Sequence, residues 1–224
     1  TIFGLEPGRR KPLLGLSQEA KLRYMLAEAF SDQQETLVLS LPLTDPALAA
    51  AVGKAWQLTR QTLVVTAEQL ECALLVTDCL ALTQDGRLLQ AGTLQELRQH
   101  PATMAVADLL PGMNRLLGTV AAKGPGSRVA LDAGGLTIPS YVWGRELSVG
   151  QPAALLVDHE EIHCSTAMHK GFHLSGLVTG EGQLELPDSQ RLTLPAAVRE
   201  APGTRLFIWW EPEHTGIVRQ DEGD

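Results

Sequence analysis

The spacing in this chain that could do chemistry most directly is His159-Glu160-Glu161-Ile162-His163. On a helix, His-Glu-x-x-His sets two imidazoles on one face to hold zinc and leaves the glutamate as general base. His169 and His173 are further imidazoles within reach in sequence. The residues before the motif argue otherwise. Pro152 and the apolar run Ala153 to Val157 read as a strand, and on a strand residues four apart share a face but stand roughly 13 Å apart, too far for one metal. Zinc hydrolysis is therefore the weakest of the alternatives, and no metal ligand set is assigned. Cys72, Cys79 and Cys164 are odd in number and fall at no ligand or disulfide-framework spacing, which suits a reducing compartment such as the cytosol.

The elements that must position these residues follow from periodicity. Between Leu16 and Phe30, apolar Leu22, Met25, Leu26, Ala29 and Phe30 recur every three or four positions, an amphipathic helix for which Ser17 is the N-cap. Thr36 to Leu41 and Thr62 to Thr66 are short apolar runs, the pattern of strands buried on both faces. Pro46 to Leu58 between them is helical, with Pro46 in the first turn where its missing N–H costs nothing. A short helix from Glu68 to Val76 and two strands, Cys79 to Thr83 and Arg87 to Gln90, follow around Gln84-Asp85-Gly86. Strand, helix, strand, helix predicts a parallel sheet covered by helices.

The pattern changes near Pro111-Gly112. Helical segments Thr93 to His100 and Ala102 to Leu110 precede it, and short apolar stretches punctuated by Gly and Pro follow it. Strands every 8 to 12 residues or so predict a small barrel or sandwich. Residues 1–110 and 111–224 are accordingly expected to be separate domains, with Asp221 to Asp224 a solvated acidic tail. Within the strand Leu206 to Trp210, one of Trp209 and Trp210 should point inward and the other outward.

Charge and length narrow the function. The 224 residues include 44% apolar residues, enough for a core, and a net charge of -8, which leaves no basic face to neutralise many phosphates. Nucleic acid is not an expected partner. The longest apolar runs, Pro152 to Val157 and Leu37 to Leu43, are far short of the roughly 20 residues that span a bilayer. A soluble chain is expected. Thr1 in place of a methionine fits a fragment or a processed product.

An ordered series of residues carries a resemblance. Leu16-Ser17, Arg23, Leu37-Val38-Leu39 before Pro42-Leu43, and Thr62 to Thr66 with Glu68-Gln69 come first. Asp78, Gly86-Arg87, Gln90, Gly92-Thr93, Glu96-Leu97, His100-Pro101, Val106-Ala107, Asn114 and Gly118 follow, then Gly150 to Ile162 and Pro212-Glu213-His214. In order and spacing the chain resembles the C-terminal half of an ATP-binding cassette (ABC) importer ATPase with a trailing TOBE regulatory domain. The resemblance implies a partial α/β ATPase core followed by an all-β, OB-like barrel. It also implies ATP and magnesium as cofactors, a second ATPase subunit and membrane-spanning importer subunits as partners, and a peripheral place on the cytoplasmic face of the membrane.

The departures bear on chemistry. Nucleotide hydrolysis needs a phosphate-cradling loop, a metal-binding acid, a carboxylate to handle water and a residue near the terminal phosphate. No Gly-x-x-x-x-Gly-Lys-Ser/Thr occurs in this sequence. By the resemblance, Ser40 stands where the family carries the strand-end Asp, Leu41 the catalytic Glu and Ala67 the switch His. Gln18 and Glu19 replace the signature glycines, and Ala47 replaces a later Asp. Leu16 and Ser17 remain as the nucleotide-contacting residues, and no catalytic residue is assigned. The expected function is an importer ATP-binding subunit that is catalytically impaired as it stands. The alternative is a non-enzymatic module that senses a small ligand or acts as a scaffold.

Overall fold

The computed structural model describes residues 2–5, 15–32, 34–59, 61–126, 128–143, 146–180 and 182–220. The tail from Asp221 to Asp224 and the side chains of Leu41 and Pro42 lie outside the described residues. The chain divides into two compact units, Thr1–Leu80 and Ala81–Asp224.

The first unit is built from α1 (Gln18–Ser31), β1 (Thr36–Leu43), α2 (Pro46–Thr59), β2 (Thr62–Ala67) and α3 (Leu70–Leu74). Ser17 caps α1, its side chain accepting the Ala20 N–H at 3.2 Å. At the start of α2, Asp45 accepts the Ala47 N–H at 3.0 Å and Pro46 occupies the first helical position. β1 and β2 are parallel, Thr36 facing Thr62 and Leu39 facing Val65. Leu26, Phe30, Leu39, Leu43, Val52 and Cys72 are among the buried residues of one core. Gly53 is what lets α2 come close: a Cβ there would run into the Leu75 carbonyl. Trp56 donates to the Gln61 carbonyl at 2.6 Å, and Gln61 donates to the Gln34 carbonyl at 2.8 Å, fixing the starts of both strands.

The expected burial of β1 and β2 on both faces is corrected here. Leu39 and Leu43 point into the core, but Val38 is 60% and Val64 is 52% exposed. The helices cover one face, and among the described residues the two strands form a two-stranded sheet.

In the second unit, β3 (Cys79–Gln84), whose first two residues belong to the first unit, and β4 (Arg87–Thr93) make a hairpin. It turns on Asp85 and Gly86, both at positive φ (50° and 72°), the backbone that matches strand twist in tight hairpins. Thr93 and Glu96 form a reciprocal capping box for α4 (Leu94–Gln99). These bonds hold the Glu96 carboxyl below its ordinary value, the Thr93 backbone N–H contributing most. Then come α5 (Met104–Asp108) and a closed five-stranded barrel of β5 (Met113–Lys123), β6 (Arg128–Ala133), β7 (Leu136–Val142), β8 (Pro152–Asp158) and β14 (Thr215–Arg219). Five strands is the number of an OB-like barrel.

The structure adds what the sequence pattern did not separate, a second, antiparallel five-stranded sheet. It contains β9 (His163–Ser165), β10 (Leu174–Gly180), β11 (Gln183–Glu185), β12 (Arg191–Thr193) and β13 (Arg205–Trp209), in the order β12-β11-β10-β13-β9. Two side-chain amides join it to the barrel by imitating a strand. Asn114 on β5 donates to the Thr193 carbonyl at 2.8 Å and accepts the Thr193 N–H at 2.7 Å. Reciprocally, Gln190 accepts the Leu117 N–H at 2.7 Å and donates to the Leu117 carbonyl at 3.0 Å. The uninterrupted apolar run of β8 is explained by burial on both faces. Ala153, Leu155 and Val157 enter the main core, while Ala154 and Leu156 pack with Ala107, Trp143 and Val218. At the end of β13, Trp209 is half-buried and Trp210, the residue after the strand, is 3% exposed, so the inward and outward rings alternate as expected. No helix among the described residues is long and apolar enough to cross a membrane.

Candidate functional site

The sequence-predicted nucleotide contacts, Leu16 and Ser17, stand at the N-terminus of α1. A helix N-terminus favours anions because its first N–H groups are unpaired and the helix dipole is positive there. In this protein that potential is already partly used. The Ser17 oxygen accepts the Ala20 N–H, leaving the hydroxyl proton available to a ligand, and Glu19 places a carboxylate in the first turn. Glu19 is held there by Arg23 at 2.9 Å, and Arg23 also donates to the Phe3 carbonyl at 3.4 Å. A phosphate approaching this end would meet a negative charge.

The parallel strands bring the other family positions together. Leu39 faces Val65, but Pro42 faces Thr66 and Leu43 faces Ala67, so the ladder skips Ser40 and Leu41. Ser40 and Leu41, which the resemblance aligns with the family's acids, therefore form a bulge directly before Thr66 and Ala67. Serine, leucine and alanine supply neither a hard anionic ligand for magnesium nor a base for water. Among the described residues, these positions do not fit a hydrolytic magnesium–nucleotide centre.

The His-Glu-x-x-His segment is placed at a strand-to-turn junction. β8 ends at Asp158, residues His159–Glu161 form a single 3-10 turn, and His163 opens β9. The two imidazoles have separate partners. The His159 ring lies 2.9 Å from the Gly112 carbonyl through Nδ1 and 2.9 Å from Glu160 through Nε2. His163 packs beside Trp209 with centroids 5.7 Å apart. His169 stacks on the same indole at 4.4 Å, and His173 meets Phe207 edge-on. Among the described residues no group of three His, Cys, Asp or Glu could hold a metal. This arrangement is not that of a zinc hydrolase. Cys164 is equally unsuited to nucleophilic work, since burial pushes its thiol up to about 11.

What the junction does hold is an ionic cluster that no local sequence pattern announced. Asp158 receives the Arg98 guanidinium through two bonds of 2.6 Å each, and also caps the 3-10 turn by accepting the Glu160 N–H at 3.1 Å. Hydrogen bonding to Asp158 raises the Arg98 pKa above its usual value, against a smaller opposing effect of burial. Nearby, His214 lies 2.6 Å from Glu161. These groups, with His100 and Glu213, line a cavity of about 180 Å³. The partners in the main pair are 60 residues apart, which is why sequence spacing could not find them. The cluster ties α4 to the end of β8, a structural task.

No family model matches the chain. Curated relatives do. In an alignment of 241 positions it is 30% identical to the spermidine/putrescine import ATP-binding protein PotA of Rubrobacter xylanophilus, covering 96% of this chain and 62% of that protein. It is 28% identical to the protein of the same name from Oleidesulfovibrio alaskensis, covering 76% of this chain and 48% of that one. The Mesorhizobium japonicum protein of that name is 29% identical over 60% of this chain and 38% of its own length. The chain thus spans about half the length of the curated relatives it matches. Among solved structures, the cytoplasmic molybdate-binding protein ModG with molybdate bound is 19% identical at a TM-score of 0.40, covering 48% of this chain and 96% of that one. Over 60% to 96% of its length the chain is thus similar to import ATP-binding proteins, the kind of protein that the order and spacing of its residues resemble.

Proposed function

We propose that this chain is the C-terminal part of an importer ATP-binding subunit whose ATPase portion is catalytically silent as it stands. The observation that supports this reading is the bulge at Ser40-Leu41 beside Ala67, which offers no acid and no imidazole at the positions that the resemblance aligns with the family's strand-end acids and switch histidine. In this reading the ATPase-like portion extends to about residue 110 and the TOBE-type portion from 111 to 224. Leu16 and the free proton of the Ser17 hydroxyl complete a site for magnesium-ATP held by a second ATPase subunit. The assembly sits peripherally on the cytoplasmic face, beneath membrane-spanning importer subunits. A second reading, a non-enzymatic scaffold or small-ligand module, is favoured by the second unit, whose Asn114 and Gln190 amides and Arg98–Asp158 pair serve internal contacts.

Titration calorimetry with magnesium-ATP tests the proposal. The purified chain alone should give no saturable heat up to millimolar nucleotide. Saturable binding by the chain alone, lost on Ser17→Ala, would show a self-sufficient nucleotide site and overturn the partner-dependent reading.

A further inference from the structure

The chain carries a net charge of -8, yet its acidic residues are unevenly placed. Residues 163–180 and 204–210 hold no Asp or Glu, but they hold Lys170, Arg205 and three of the six histidines. The antiparallel sheet of the second unit brings these two stretches together. Arg205, Phe207 and Trp209 of β13 point away from the core, while Leu206 and Ile208 between them are buried. Opposite Trp209 stands His163 on β9, and opposite Arg205 stands Leu177 on β10, which is 46% exposed. The loop 166–173 covers part of this aromatic ridge. His169 stacks on the Trp209 indole at 4.4 Å and His173 meets Phe207 at 5.4 Å, while Met168 in the same loop is 68% exposed. Neither Lys170 nor Arg205 has a hydrogen-bond or ion-pair partner for its side chain among the described residues. Glu185, the carboxylate beside Leu177 on this face, is held by Arg191 at 3.0 Å.

We propose that this face of the second unit is a docking surface for an acidic peptide segment of a partner protein, one that also carries apolar side chains. Carboxylates of the segment meet Arg205 and Lys170, and its apolar side chains cover Met168, Leu177 and the edge of Trp209. Aromatic and arginine side chains are what the energetically dominant centres of protein interfaces are made of. Charge complementarity selects the occupant, since unpaired cations in a carboxylate-free patch draw in acids that the rest of the chain repels. A second copy docked symmetrically on the same patch would set cation against cation. A nucleic acid would carry many phosphates past a chain of net charge -8. The inference stands apart from the nucleotide reading.

The test uses the full chain and a fluorescently labelled peptide, acetyl-Glu-Leu-Asp-Phe-Glu-Asp-Leu-Glu-amide, followed by anisotropy. Saturable binding is expected, weakened about tenfold by Arg205→Glu or by Lys170→Glu. Raising the salt from about 50 to about 300 mM should weaken it roughly fivefold. Both side chains face solvent, so neither substitution should move thermal unfolding. Lys123→Glu, on β5 of the barrel, makes the same change in net charge and should leave the affinity within about twofold, because distant exposed charges are screened. No saturable binding up to millimolar chain overturns the proposal. Binding that Lys123→Glu weakens as much as Arg205→Glu does would report net charge alone and overturn it as well. Oligothymidylate bound more tightly than the peptide, and released by Arg205→Glu, would make the occupant a nucleic acid. Self-association seen by light scattering and abolished by Arg205→Glu would make it a second copy, and either result overturns the proposal.

Discussion

Replacing Asp158 with alanine will destabilise the second unit by about 3 kcal/mol in chemical denaturation, the magnitude expected when one member of a mostly desolvated, charge-assisted pair is removed. The Asp158 side chain is 13% exposed and that of Arg98 is 27%, so the pair stands nearer the interior limit than the surface one. The substitution strands two guanidinium donors and uncaps the turn at His159 together. Asp158→Asn keeps an acceptor for the Glu160 N–H and should cost less. Equal losses for alanine and asparagine would mean that charge contributes nothing there.

Gly216→Ala should be at least as damaging, about 3 kcal/mol or more, at the upper end of what overpacking costs. Gly216 lies on β14, and a Cβ built on it falls within the indole of Trp143. Trp143 has little room to retreat. It is 9% exposed, its backbone N–H donates to the Ile217 carbonyl at 3.0 Å, and its side chain packs on Ala107, Ala154, Leu156 and Val218 with His100 edge-on at 5.2 Å. The contact is with ring carbons and not with the end of a flexible chain. Combining Gly216→Ala with Trp143→Ala should therefore lose less stability than the two single losses added together. Strict additivity would contradict the close approach.

These two positions illustrate what a sequence of this kind conceals. Local rules identified the elements around them. Ser17 caps α1, the unbroken run Ala153 to Val157 is a strand, and His159 to His163 follows it without forming an α-helix, as the preceding residues implied. Each depends on neighbours a few residues away. Arg98 with Asp158 and Asn114 with Thr193 are 60 and 79 residues apart, and a single pair at such separation leaves no periodic trace. The second five-stranded sheet was merged with the barrel for a similar reason. Both yield short strands at the same spacing, and only the pairing order divides them. At β1 and β2 the discrepancy is of another kind. The apolar pattern suggests two covered faces, while the described residues cover one. Of the candidate nucleotide site, the residue types at Leu16, Ser17, Ser40, Leu41 and Ala67 were readable. The bulge that sets Ser40 and Leu41 outside the ladder was not, because register depends on both strands at once.

The central claim is that this chain carries no hydrolytic centre of its own. Steady-state phosphate release from magnesium-ATP by the purified chain tests it most directly, with Leu41→Glu and Ala67→His variants alongside. The account predicts no release above the enzyme-free rate for the natural chain or for either variant, since restoring one side chain supplies no phosphate-cradling loop. Sustained, magnesium-dependent turnover by the natural chain alone would contradict it.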